Sequence, residues 1–343
     1  MPDAHEAHAK PAELANGVIP MLDVSRYLAG DRSELDRLGR EMRYAFERVG
    51  FYYLRGHDVP QTLIDAMFAE AERFHAQPLE SKLALRINEH NIGYMPIGGS
   101  VARSSKVNNN TRPSVNEALF FRRERAADDP DVIAGKRFRG LNQWPADLPG
   151  FRETVLAYMA AMESLGRRMV PVYAVALGLP ADYFDTMFEK PNMIQRLTHY
   201  PPNDVYDDNE FSIAPHTDSG FATFLAPSAV PGLSIRLPDG TWFDAPSIPG
   251  AFTVNGGDIL RRWTNDRFLS TPHRVINVSG RHRYAIPFFF DTHPDTLLEC
   301  LPSCRSVENP AKYGNCSPRG SGGSPRRGCG GERRALSSAR INA

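Results

Sequence analysis

The hydrophobic period of this chain changes once, near residue 193, and that change narrows the possible folds more than any other feature. Before it, apolar residues recur at helical spacing. Leu35, Leu38, Met42, Ala45, Phe46 and Val49 follow Ser33, which reads as an N-cap, and Gly50 stops the helix. Pro60 opens a second helix with Leu63, Met67, Ala71 and Phe74 on one face, and a third is expected from Phe151 to Leu177, ended by Gly178. Short strands are expected at Ile19–Asp23 and Phe51–Leu54. Residues 84–148 are less regular, with loops marked by Gly98-Gly99, Asn108-Asn109-Asn110 and Pro113.

After the change, short runs alternate between Pro and Gly breaks. Strands are expected at Ile194–Tyr200, Ser212–Asp218, Phe221–Leu225, Leu233–Leu237, Thr241–Phe243, Ala251–Asn255, Thr271–Val278 and Tyr284–Phe290, with a hairpin turn at Pro238-Asp239-Gly240. Many short strands of this kind predict an α+β protein with a mainly β core. The expected form is a double-stranded β-helix, or jelly roll, braced by N-terminal helices. The chain divides into a helical and mixed region at 18–130, the jelly roll at 190–313, and a tail at 314–343. That tail is rich in Gly, Ser and Arg and has too few large apolar groups to order itself, so it is expected to be disordered.

A chain of 343 residues can build one large domain or two small ones. With 41% hydrophobic and 23% charged residues and a net charge of zero, the expectation is a soluble globular protein. Neither a nucleic acid nor a membrane is expected as partner, and the oligomeric state stays open. Met1 to Asn16 lack the apolar core of a secretory signal. Cys300, Cys304, Cys316 and Cys329 all lie late in the chain, without a C-x-x-C pair. That argues against a disulfide framework or a zinc cluster and for a reducing, cytoplasmic setting.

The chemistry is concentrated in Ala214-Pro215-His216-Thr217-Asp218-Ser219-Gly220 and, later, His273. Two imidazoles and a carboxylate can hold non-haem Fe(II) on one face and leave the opposite positions open. On a strand, His216 and Asp218 would point to the same side. Zinc could use the same ligands, but the carboxylate and the open positions suit Fe(II) better. Ten residues beyond His273 stands Arg283, a fixed cation able to hold the far carboxylate of an organic acid that also ligates the metal. No catalytic residue is expected beyond the metal ligands. His282 reads as a surface or strand-edge residue, His199 as structural, and Asp258 as a turn residue. Trp242, Phe243, Phe288 and Phe290 read mainly as core, while Phe221 and Phe288 are the aromatics considered for the pocket wall.

Further motifs surround these: Gly50-Phe51-Tyr52-Tyr53-Leu54, Asn142-Gln143-Trp144-Pro145, His199-Tyr200-Pro201-Pro202, Pro231-Gly232-Leu233, Asn255-Gly256-Gly257-Asp258 and Arg283-Tyr284-Ala285-Ile286-Pro287-Phe288-Phe289. Over residues 18–313 the chain resembles the isopenicillin N synthase-like branch of the Fe(II)/2-oxoglutarate-dependent dioxygenases. The resemblance implies that 2-oxoglutarate chelates the iron and meets Arg283 through its far carboxylate, with Tyr200 hydrogen-bonded to it. It implies that O2 is consumed, that succinate and CO2 are released, and that a small molecule is oxidised, with hydroxylation as the expected outcome. Ascorbate is a candidate reductant.

Alternatives within the family are a 2-oxoglutarate-independent oxidase like isopenicillin N synthase and an ethylene- and succinate-forming enzyme; outside enzymes, the alternative is an inactive metal-binding barrel. The chain departs from the family in three places. Ala285 stands where Arg-x-Ser is common, which predicts weaker 2-oxoglutarate binding. Thr198 stands where many relatives have Asn. The segment from Gly314 does not resemble the family's closing helix.

Overall fold

The computed structural model describes residues 14–15, 17–99, 112–203 and 210–315. Within them run strands β1 (Leu14–Ala15), β2 (Ile19–Asp23), β3 (Phe51–Arg55), β4 (Gly93–Met95), β5 (Glu117–Arg122), β6 (Asn192–Tyr200), β7 (Ile213–His216), β8 (Ala222–Leu225), β9 (Leu233–Arg236), β10 (Trp242–Asp244), β11 (Ala251–Gly256), β12 (His273–Val275), β13 (Arg283–Ala285) and β14 (Pro287–Asp291). The helices are α1 (Ser25–Leu28), α2 (Leu35–Arg48), α3 (Gln61–His75), α4 (Leu79–Leu83), α5 (Pro130–Ile133), α6 (Phe151–Ala176) and α7 (Asp258–Trp263). The expected tail lies outside the described residues except for Gly314 and Asn315. No helix among the described residues is long and apolar enough to cross a membrane.

The strands form two sheets. The major sheet runs β1-β2-β3-β11-β8-β14-β6-β5-β4, with β13 also paired to β6; the minor sheet runs β10-β9-β12-β7. The expected double-sheet core is therefore present. The front half also supplies strands to it, since β2 and β3 extend the major sheet beside β11.

β3 shows why a run such as Phe51-Tyr52-Tyr53-Leu54 is apolar at every position. Tyr52 and Leu54 enter the core beneath the helices, together with Met42 and Phe46 of α2 and Met162 and Met169 of α6. Phe51 and Tyr53 face the other way, into a smaller cluster with Leu233 and Ile235 of the minor sheet. A strand covered on both faces has no polar side to alternate.

Several expected elements differ in detail. Asp31, not Ser33, caps the first turn by accepting from the Ser33 amide, and a short 3-10 turn precedes α2. Tyr284–Phe290 is two strands, because β13 pairs only with β6 while β14 bridges β6 and β8. Ser212–Asp218 shortens to β7, which ends at His216. Asp258 starts helix α7. In the irregular stretch, β4 and β5 are not legible from sequence because they are short and interrupted by loops.

Gly50 joins α2 to β3 with φ +74°, and a Cβ there would collide with the Thr271 side chain and lie 3.1 Å from the Leu269 carbonyl. Thr271 uses its hydroxyl to donate to the Val49 carbonyl at 2.6 Å. Gly50→Ala is expected to lower unfolding free energy by about 2 kcal/mol or more, combining left-handed strain with the displaced hydrogen bond; chemical denaturation measures it.

Candidate metal and co-substrate site

β12 lies antiparallel between β7 and β9, and its register sets His273 directly opposite His216. Their ring centroids are 4.4 Å apart. The pairing shifts by a bulge between His273 and Val275. The carboxylate arrives differently from the sequence expectation. β7 has ended at His216, so Asp218 comes from the turn that follows and not from the next same-face position of a strand.

That turn is pinned from below. The Asp258 amide donates to the Asp218 carbonyl at 2.7 Å, and the Ile259 amide donates to Gly220 at 3.1 Å. Gly257 passes so close that a Cβ would collide with the Gly220 carbonyl and lie 2.9 Å from the Asp218 carbonyl. This close approach accounts for glycine in Asn255-Gly256-Gly257-Asp258.

Each side chain is held on its rear atom. His216 Nδ1 lies 2.8 Å from the Ala214 carbonyl and His273 Nδ1 lies 3.1 Å from the Thr271 carbonyl. A carbonyl can only accept, so both Nδ1 atoms carry hydrogen and both Nε2 atoms keep a free lone pair. Asp218 Oδ2 accepts from Thr223 Oγ1 at 2.5 Å and from Asn255 Nδ2 at 2.8 Å. Asp218 Oδ1 then faces His216 Nε2 at 3.8 Å and His273 Nε2 at 3.7 Å. Burial, and then the neighbouring His273, push the His216 imidazole down to about 4. Burial would raise the Asp218 carboxyl, yet the two imidazoles with the Asn255 and Thr223 hydrogen bonds hold it below its ordinary value. The depressed His216 imidazole and the depressed Asp218 carboxyl favour the deprotonated forms that bind a divalent cation.

The same pocket, about 560 Å³ including its open mouth, is lined by Tyr200 and Arg283. Tyr200 and Arg283 are directly paired across β6 and β13, and the guanidinium lies 4.9 Å from the Tyr200 ring centre. Arg283 Nε donates to the Val230 carbonyl at 3.1 Å, whereas its buried Nη1 has no partner. Burial lowers the Arg283 pKa, with Tyr200 opposing the shift, but a guanidinium remains charged. Ala285 sits across from Thr198, whose buried hydroxyl also has no partner.

A second trio, His75, Glu117 and His199, also gathers its donor atoms closely. Both oxygens of Glu117 are already engaged. Oε1 lies 2.7 Å from His199 Nδ1, Oε2 accepts from Lys82 Nζ at 2.9 Å, and the Tyr94 hydroxyl donates to Oε2 as well. The Lys82 ammonium supplies the positive charge there, so the donor set suits a structural ion-pair network better than a metal. His199 accordingly has the structural place expected of it, and exposed His282 contacts it at 2.8 Å.

Of the aromatics considered for the pocket wall, Phe221 and Phe288 are fully buried in the helix-side core. Phe51 and Phe289 line the pocket instead, as does Arg196. On β14, residues 288 and 290 face the helices and 289 the cavity, a parity that is readable once the strand is known to start at Pro287. Residues 100–111, within the irregular stretch at 84–148, lie outside the described residues.

Residues 191–292 match the family described as the 2OG-Fe(II) oxygenase superfamily, and residues 19–147 match the N-terminal region described for a non-haem dioxygenase in morphine synthesis. The chain is 37% identical over 302 residues to the 2-oxoglutarate-Fe(II) type oxidoreductase hxnY of Emericella nidulans, covering 86% of this chain and 85% of that one. It is 31% identical to the 2-oxoglutarate-dependent dioxygenase tropC of Talaromyces stipitatus, covering 84% and 90%. Among solved structures, a full-length Neurospora crassa protein in complex with alpha-KG and thymine superposes with a TM-score of 0.77 at 27% identity, covering 90% of this chain and 97% of that one. With this agreement of fold and sequence, the chain belongs to the 2OG-Fe(II) oxygenase superfamily and is an oxidoreductase, a dioxygenase that uses Fe(II) and 2-oxoglutarate.

Proposed function

We propose that His216, Asp218 and His273 hold the Fe(II), that Arg283 and Tyr200 hold the far carboxylate of 2-oxoglutarate, and that the enzyme hydroxylates a small molecule. One observation carries this reading. Three ligand atoms left free by their rear hydrogen bonds share a pocket with a buried guanidinium whose Nη1 has no partner. The jelly roll at 190–313 holds all five residues, and the region at 18–130 braces it. The Neurospora crassa relative bound to alpha-KG and thymine supports a small-molecule substrate.

When bound, iron and 2-oxoglutarate draw on O2 to oxidise a C–H bond and release succinate and CO2. The protein's contribution is positional and electrostatic. Ala214 and Thr271 fix the imidazole tautomers, and Asn255 and Thr223 fix which carboxylate oxygen faces the metal. Arg283 presents a planar fork suited to a carboxylate. Leu225, Leu233, Val275 and Pro287 line the space between, lowering its polarity and excluding bulk water. Ascorbate would serve in this reading only as a reductant.

Ala285 supplies no hydroxyl beside Arg283, so one hydrogen bond to a charged acceptor is missing. Ala285→Ser is expected to tighten 2-oxoglutarate binding by up to about tenfold, and Arg283→Gln to weaken it by about a hundredfold or more; calorimetric titration of the anaerobic metal-loaded protein measures both. Asp218→Ala is expected to abolish Fe(II) binding and succinate release. By contrast, Glu117→Gln should keep a full equivalent of iron while lowering the melting temperature, because it leaves Lys82 without a buried counter-charge. Loss of the metal from the Glu117 variant, or its retention in the Asp218 variant, would transfer the site to the other cluster. Asn255→Ala should weaken Fe(II) binding about ten- to a hundredfold by freeing the carboxylate to rotate, read by metal titration.

A further inference from the structure

Arg196 lines the pocket alongside His216, Asp218 and Arg283, yet no carboxylate pairs with it among the described residues. It projects from β6, and the register places it opposite Pro287, on the same sheet face as Phe289. Its guanidinium is fixed from behind. Nη2 donates to Asn116 Oδ1 at 2.9 Å, Asn116 Nδ2 donates to the Ser212 carbonyl at 2.6 Å, and the Phe120 ring centre is 5.2 Å from Arg196 Cζ. Arg196 Nε is buried and has no partner at all. A pocket-lining guanidinium braced by Asn116 and Phe120, with its hydrogen-bonding capacity not exhausted by the protein, is preorganised to receive an acceptor.

The charges say what kind of acceptor. In the reading proposed above, the two positive charges of Fe(II) and the one of Arg283 are matched by Asp218 and the two carboxylates of 2-oxoglutarate. The loaded site is then neutral apart from Arg196, whose charge is left over in a largely apolar pocket. A buried, uncompensated cation is costly, and a ligand anion removes that cost.

We propose that Arg196 anchors an anionic oxygen of the primary substrate, with Phe289 packing against its body, so that the substrate is a small organic acid carrying a carboxylate or an ionised ring oxygen. Arg196 would select this substrate and hold its reactive carbon toward the metal, without taking part in the chemistry. The inference rests on the assignment of Fe(II) and 2-oxoglutarate to this pocket. Its test therefore measures the co-substrate separately.

The full chain, loaded anaerobically with Mn(II) and 2-oxoglutarate, is titrated with benzoate and phenylacetate, with the matching amides, and with thymine as a neutral ring carbonyl. Binding is read by ligand-detected NMR through the paramagnetic broadening that the pocket metal causes. The acids are expected to bind about tenfold or more tightly than their amides. Arg196→Gln should erase that preference while weakening 2-oxoglutarate binding by less than about tenfold, the loss of its long-range field alone, and Arg196→Lys should retain part of the preference by keeping a cation. Equal binding of acids and amides, preference for thymine over every acid, or failure of all acids to bind overturns the proposal. So does a collapse of 2-oxoglutarate affinity in Arg196→Gln, which would make Arg196 a second co-substrate anchor. Failure of the unaltered protein to bind Mn(II) and 2-oxoglutarate would instead strike the site assignment itself.

Discussion

The site depends first on the register between β7 and β12. Because side chains alternate faces along a strand, His216 and His273 share a face only while those two positions lie opposite one another. A slip of one residue would turn one imidazole away. The register is held from the other side as well, where β12 pairs with β9 at Ile235 and Leu233. The carboxylate makes the site a property of both sheets, since Asp218 follows the last residue of a minor-sheet strand but is fixed by Thr223 of β8 and Asn255 of β11 in the major sheet. The candidate metal site is thus a point where the two sheets are tied together by side chains, and neither can shift without disturbing a proposed ligand.

The helical front half reaches this point through a short chain of contacts. The Thr271 hydroxyl donates to the Val49 carbonyl at the end of α2, and the Thr271 carbonyl fixes His273 Nδ1. Phe51, the first residue of β3, then lines the pocket and meets the His273 ring edge-on at 5.6 Å. The motif Gly50-Phe51-Tyr52-Tyr53-Leu54 therefore serves both core and site: the glycine turns the chain, alternate residues fill the helix-side core, and Phe51 shapes the space beside a proposed ligand.

What the sequence revealed and what it concealed divide along physical lines. The helices at 35–48, 61–75 and 151–176 were legible because each buries one stripe against a core and keeps a polar back. The grouping of His216, Asp218 and His273 was legible because its residue types are rare in that combination, although the expected geometry was wrong: Asp218 joins His216 through a turn pinned by α7, not through strand periodicity. Asn255 and Thr223 were not identified, since an amide and a hydroxyl in apolar strands look like ordinary ladder positions until the carboxylate they hold is seen. Arg196 was hidden for the same reason, as one cation within a half-buried strand. Phe289 and Phe288 could not be assigned to faces until β13 and β14 were separated at Ile286, because a one-residue change in where a strand begins reverses every face.

The pocket's electrostatics link the occupants to one another. Without ligands, Arg196 and Arg283 outnumber Asp218, and both guanidiniums lie in a setting that strengthens Coulomb interactions relative to water. Such a field opposes a dication and favours a dianion. In the proposed reading, each therefore improves the site for the other: 2-oxoglutarate lessens the repulsion felt by Fe(II), while Fe(II) offers 2-oxoglutarate a charge beyond that of Arg283. Linkage of this kind is reciprocal by thermodynamic necessity. It also explains how the chain can tolerate Ala285. The hydroxyl it lacks would add one hydrogen bond, whereas the buried guanidinium and the metal supply full charges, and in a largely apolar cavity the charges dominate.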